Sequence, residues 1–163
     1  MQKHQMDADM SPDTMRSHYR TFGLTMIVSL IVMYLAMFAM IWSWGEFFQN
    51  LNFFYMALVM WAPMGVIMLL TMPMMYRDSK LNLVLYAAFG LVFILSFIGI
   101  RDQTLVGDRQ FLRSMIPHHS GAITMCERAS ISDPEIERLC FAPTGIVESQ
   151  KREIAQMEAL LKQ

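Results

Sequence analysis

The sequence predicts an all-α chain in which three transmembrane helices carry a small soluble helical domain. Three observations lead to this. Of the 163 residues, 55% are apolar and the mean hydropathy is positive, which is too apolar for an ordinary soluble domain. Between Thr21 and Ile100 only Glu46, Arg77, Asp78 and Lys80 are charged, and all four fall in short breaks between apolar runs. After Ile100 charge returns, and the apolar residues recur at helical spacing.

Residues 1–20 form an N-terminal arm expected in the cytoplasm. The apolar runs that follow, 21–41, 51–72 and 81–100, each reach the roughly 20 residues that an α-helix needs to cross a bilayer. The first is too long for a cleaved signal and has no small-x-small site after it, so it reads as a retained span. Lys3, Arg16 and Arg20 flank the first span, Arg77 and Lys80 lie between the second and third, and the loop 42–50 has no Lys or Arg. The positive-inside rule therefore places the N-terminus inside, and the loop 42–50 and everything after Ile100 outside. For a bacterial inner membrane that means a periplasmic C-terminal domain. Trp42, Trp44 and Tyr55 fall where amphipathic rings favour the outer headgroups. A net charge of −1 with no basic run argues against a nucleic-acid partner.

The segment 101–163 reads as three helices. One runs from Thr104 to about Ser130, with Pro117 either kinking it or starting its main part. Asp133-Pro134 opens a second, with Asp as N-cap and Pro in the first turn, and Ile136, Leu139 and Cys140 form its apolar face. Pro143 and Gly145 break the chain before a final helix, Gly145 to Leu161, striped by Ile146, Ile154, Met157 and Leu161. Some sixty residues give a small core, and domains of this size often rely on a metal, a disulfide or a partner subunit.

The densest chemistry lies in Met115, His118, His119, Met125 and Cys126. At about 100° per residue all five share one arc if the helix runs through Pro117. Gln150, Glu153 and Met157 share a face on the last helix, and Glu153 could orient a metal-bound imidazole by taking the N–H on its far side. Thioethers with imidazoles suit a soft late metal, Cu(I) first, with Cu(II) possible through the histidine pair. The plainer alternative is one core histidine bonded to Glu153, one exposed histidine, and methionines that only pack. Cys126 and Cys140 could form a disulfide, Cys126 could be a thiolate ligand, or both could be buried free thiols.

The run DRQFLRSMIPHHSGAITMCE (Asp108 to Glu127), with SQKREIAQMEALL near the end, resembles the signature of the domain-of-unknown-function 305 family over roughly Asp102 to Gln163. The resemblance implies a ferritin-like helical half-bundle and, from members of the CopM type, copper binding outside the cytoplasm in copper homeostasis. Carried onto this sequence, it implicates His118, His119, Met115, Met125 and Met157, with Glu153 in support. One departure is the stretch Phe141 to Gly145, about three residues longer than in relatives, at the junction with the helix that carries Met157.

There are eighteen methionines. Met56, Met60, Met64, Met68 and Met72 recur every four residues. Met26, Met33, Met37 and Met40 line the first span, and the arm adds His4, Met6, Met10, Met15 and His18. These read as adaptable helix-packing residues rather than a metal ladder, because the spans offer only hydroxyls such as Thr25, Ser29 and Ser96 besides. The expected function is a membrane-anchored Cu(I) buffer or donor, a non-enzyme whose partners are the bilayer, copper, a copper-handling membrane protein and a second copy. The alternative is a helical docking or dimerisation module with a structural histidine pair. A copper oxidase is a third possibility. The inward Glu and Glu-x-x-His pattern of a di-iron bundle is missing.

Overall fold

The computed structural model describes residues 12–163. Lys3, His4, Met6 and Met10 lie outside the described residues. All regular structure among those described is helical: α1 (Pro12–Ala36), α2 (Leu51–Thr71), α3 (Ser79–Arg101), α4 (Asp108–Arg128), α5 (Pro134–Phe141) and α6 (Ile146–Leu161). Helices α1, α2 and α3 are each long and apolar enough to cross a membrane. They turn Leu24, Ile27, Leu70, Leu83, Leu91 and Ile94 outward, a band of side chains suited to hydrocarbon rather than water.

Between the spans the packing is close. Phe22, Met26, Ala62, Leu69, Tyr76 and Phe89 form their shared core, and the Trp61 indole N–H donates to the Met26 carbonyl at 2.6 Å. Gly65 sits where a Cβ would come within 2.5 Å of the Phe89 ring, the close approach that small residues permit between membrane helices. The methionine row on α2 winds round the helix. Met56, Met60 and Met72 are exposed, whereas Met64 and Met68 pack against the core. A row with period four drifts by about 40° per step and cannot keep to one seam.

The ends of the spans sort by side. His18 Nδ1 lies 3.3 Å from the Met75 carbonyl, the Tyr19 hydroxyl donates to Asn82 at 2.8 Å, and the Asp78 N–H donates to Tyr19. The start of α1 and the α2–α3 connection therefore share one end, and Arg16, Arg20, Arg77 and Lys80 belong to it. The loop 37–50 and helices α4–α6 occupy the other. There the Tyr55 hydroxyl donates to the Thr104 carbonyl at 2.9 Å, and Gln103 (φ 50°) and Leu105 (φ 62°) make the reversal from α3 into α4.

Helix bounds differ from the sequence reading by more than two residues at three places. Helix α1 begins at Pro12, inside the stretch 1–20 read as an arm, so Arg16 and Arg20 stand on the helix itself. The apolar run ending at Ile41 stops being α-helix at Ala36 and continues as turns. In these turns Phe38 is buried against Phe47 and Phe53, with ring centroids 4.1 and 5.0 Å away. The helix expected from Thr104 begins at Asp108. As anticipated, Asp133 caps α5, accepting from the Glu135 and Ile136 N–H groups, with Pro134 in its first turn.

The core of the C-terminal unit forms mainly between α4 and α6 and consists of Ile116, Ile123, Cys126, Cys140, Val147, Ile154 and Met157. Phe48 of the first loop packs against it, so the domain is seated on the membrane-proximal loop rather than tethered loosely above it.

Candidate functional site

Helix α4 runs unbroken through Pro117, which is buried. The five side chains singled out on α4 therefore do share one arc, but the arc straddles the edge of the core. Ile116, Ile123 and Cys126 point inward, and Met115 packs at their margin. His119 is 14% exposed. His118 lies on the outer shoulder and is exposed, as is Met125 at 60%. The rings of His118 and His119 are 6.0 Å apart, centroid to centroid.

Across from this edge lies α6. Glu153 Oε2 is 3.0 Å from His119 Nδ1. That nitrogen is buried and makes no directed hydrogen bond, so the carboxylate meets it as a close charge rather than an aligned acceptor. Met157 is buried in the same cluster that Met115 borders. Met115 and His119 on α4, and Glu153 and Met157 on α6, are each spaced i, i+4 and so stack along one side of their helix. Gln150, on the same helix, is half-buried. The longer junction at Phe141 to Gly145 does not turn Met157 out of the core. Gly145 allows that junction to close, because a Cβ there would come within 2.8 Å of the Leu139 carbonyl and 2.9 Å of the Ala142 backbone.

Burial lowers the His119 pKa below its usual value, outweighing Glu153, which raises it, while the neighbouring His118 lowers it further. The imidazole is thus held neutral further into acid than an exposed one. Above about pH 6.5 both folded and unfolded chains carry it neutral and it contributes no pH dependence. Below that pH the unfolded chain takes up a proton that the folded chain resists, so stability falls as pH drops toward the lowered folded value. We expect the thermal midpoint of the detergent-purified protein to decrease between pH 7 and pH 5.5, and His119→Gln to shrink that decrease. An unchanged slope in the variant would remove His119 as its source.

Cys126 and Cys140 are joined, with Cα atoms 5.6 Å apart. A sulfur in a disulfide is not a thiolate, so Cys126 leaves the candidate ligands. Among the described residues no three His, Cys, Asp or Glu side chains converge as a metal cluster. Any soft-metal site here would have to draw on thioethers beside imidazole.

Residues 100–161 match the family described as a domain of unknown function (DUF305). An uncharacterised protein, L153, of Acanthamoeba polyphaga mimivirus is 34% identical over 142 residues, which is 85% of this chain and 89% of the relative. The chain carries a DUF305 domain. The aligned stretch is more than twice as long as the matched DUF305 segment, so the likeness reaches into the apolar helices. No solved structure matches the chain.

The DUF305 segment also contains a site that the sequence reading passed over. Ser120, fully buried, follows the two histidines and faces the first loop instead of α6. Its hydroxyl donates to the Glu46 carboxylate, and its oxygen accepts the Trp42 backbone N–H. Glu46 is 6% exposed and accepts the Ser43 N–H at 3.1 Å, closing a capping box. The Trp42 indole N–H donates to Glu127 Oε2 at 2.8 Å. Lys151 completes this face, 3.6 Å from Glu127 and 4.9 Å above the Trp42 ring. The only sequence signal was a lone acid in an otherwise uncharged aromatic loop.

Proposed function

We propose that this chain is a membrane-anchored copper-binding protein that buffers or hands over Cu(I) on the non-cytoplasmic side of its membrane, acting as a binder and not a catalyst. The observation that carries the reading is the apposition of His119 and Met115 on α4 with Glu153 and Met157 on α6. The donors fit the ion. Thioether and neutral imidazole suit Cu(I) and suit calcium or magnesium poorly. With Nδ1 facing Glu153, the His119 ring has Nε2 as its donor to a metal, the arrangement in which a carboxylate behind the imidazole strengthens the ligand. His118 and Met125, on the exposed shoulder of the same arc, would extend the site toward solvent, where an ion could be received or released.

Two observations support the outward orientation. The basic residues Arg16, Arg20, Arg77 and Lys80 belong to the end of the spans opposite the domain. The Cys126–Cys140 disulfide suits an oxidising compartment.

The test is a competitive Cu(I) titration of the full-length protein in detergent, with ascorbate as reductant so that the disulfide survives. It is run beside the His118→Ala/His119→Ala double variant. We expect the double change to weaken binding by about a hundredfold or more, and Glu153→Gln by about tenfold, as for loss of a carboxylate behind a metal-bound histidine. Affinity indifferent to both histidines would sink the reading.

One observation favours a second reading. Helix α5 buries Cys140 but leaves Ile136 49% and Leu139 61% exposed, an apolar edge beside the α4–α6 pair. A second copy docking there would complete a four-helix, ferritin-like bundle, and the protein would be a dimerisation module with a structural His119–Glu153 pair. A monomer by light scattering in detergent would exclude it.

A further inference from the structure

A groove of about 560 Å³ lies where the domain meets the spans. Its lower wall is apolar: Leu30, Ile31 and Leu35 from the last turns of α1, and Phe54 from the first turn of α2. Its upper rim is polar, formed by Gln49, Gln110 and Arg113. The rim stands at the level where α2 begins, because the Gln110 side chain accepts the Leu51 N–H at 3.2 Å. From Leu35 to Leu30 the wall descends about 7 Å along α1, at 1.5 Å per residue. Ile31 is 55% exposed, so the groove opens sideways toward the surface that faces hydrocarbon.

Arg113 also borders a second cavity of about 360 Å³, which Arg109, Lys162 and Glu158 line as well. Three cations against one carboxylate surround it. Among the described residues Arg109 reaches only the Leu161 carbonyl, at 3.5 Å. Among the described residues Arg113 has no hydrogen-bond or ion-pair partner. A half-buried guanidinium without a partner, directly above an apolar slot, lacks the anion that its planar fork of donors is shaped to bind.

We propose that this groove binds one anionic glycerophospholipid, its phosphate held at Arg113 with Arg109 and Lys162 nearby, and one acyl chain lying along Leu35, Ile31 and Leu30. Charge complementarity selects an anionic headgroup, and the lateral opening selects a molecule that arrives through the bilayer. A water-soluble anion has no use for the apolar lower wall. The bound lipid bridges α1, α2 and α4, so it fastens the domain to the spans whether or not the domain binds copper.

The experiment uses the full-length protein purified in nonionic detergent. Native mass spectrometry follows titration with phosphatidylglycerol or phosphatidylcholine. We expect one phosphatidylglycerol to be retained per chain in preference to phosphatidylcholine, and Arg113→Gln to weaken that retention about tenfold, as for loss of one charge-assisted contact. Arg101→Gln, a change at the same membrane level but outside the groove, should leave it intact. Ile31→Trp, which fills the slot from an exposed position, should weaken retention of both lipids. Equal loss in Arg101→Gln would mean general surface charge, and competition by glycerol 3-phosphate as effective as by lipid would mean a soluble-anion site. Either result overturns the proposal, as does indifference to both Arg113→Gln and Ile31→Trp.

Discussion

Glu46→Ala is expected to release the C-terminal domain from the membrane-proximal loop and to destabilise the protein by about 2–4 kcal/mol, the scale for leaving buried donors without an acceptor. The carboxylate joins residues 74 positions apart. Its removal orphans the Ser120 hydroxyl, which is completely buried, and the Ser43 N–H. Trp42 keeps its own bonds to Ser120 and Glu127 and the Lys151 contact, but the loop that carries it is no longer closed onto α4 by the capping-box carboxylate. Two readouts follow: a lower thermal midpoint in detergent, and faster proteolysis in the connection 102–107, where Leu105 is already 80% exposed. Glu46→Gln keeps an acceptor oxygen and should do less harm. A Glu46→Ala protein that melts and resists protease like the parent would show that the domain is held by Phe48 and the rest of the apolar contact instead.

That contact also explains what was legible in the sequence. The spans were readable because hydrocarbon imposes one rule on every outward side chain, and composition alone reveals it. Their ends were less so. Phe38, Met40 and Ile41 continue the apolar run, but Phe38 is buried among Phe47 and Phe53, and Met40, half exposed, lies beside Gly121 of α4. Hydropathy cannot distinguish burial in lipid from burial beneath a docked domain. The caps and breaks of the small domain were local, and Asp133, Pro134 and Gly145 act as their residue types require.

The candidate site was legible in part. Helical spacing placed the α4 residues on one arc, and Glu153 meets an imidazole as the shared faces suggested. Spacing could not say where the arc crosses from core to solvent, which depends on how α6 lies across α4, so it did not separate His119 from His118. Nor could it find Ser120 or Arg113, whose meaning comes from the loop and spans that α4 rests on. A helix read alone shows one face toward its own domain. Here α4 is contacted from below as well, and Glu46 marks that second side.

Removing the disulfide is expected to have the other large effect, confined to the domain above the membrane. Cys126 closes the end of α4 and Cys140 the end of α5, 14 positions apart in sequence. A loop of that length gives a stabilisation of about 3 kcal/mol in the chain-entropy account. The structure gives this cross-link more than average leverage. Helix α5 buries little beyond Cys140 and presents Ile136 and Leu139 outward, so few other contacts hold it against α4. We expect Cys126→Ser/Cys140→Ser, or treatment with a thiol reductant, to lower the midpoint of the α4–α6 unit by about 10–20 °C, on the scale of small domains. The transition of the three spans, which contain no cysteine, should stay where it is. The double variant should be indifferent to reductant, which separates loss of the bond from any other effect of reduction. His119 and Glu153 lie on α4 and α6, which pack mainly against each other, so the His119–Glu153 edge should outlast the loss of the bond at temperatures below the new midpoint. If reductant instead abolished Cu(I) binding in the folded protein, α5 would have to be holding the α4–α6 edge in register. If neither reductant nor the serine variant moved the midpoint, the sulfur bridge would contribute nothing that the Ile116–Ile123–Ile154 core does not already supply.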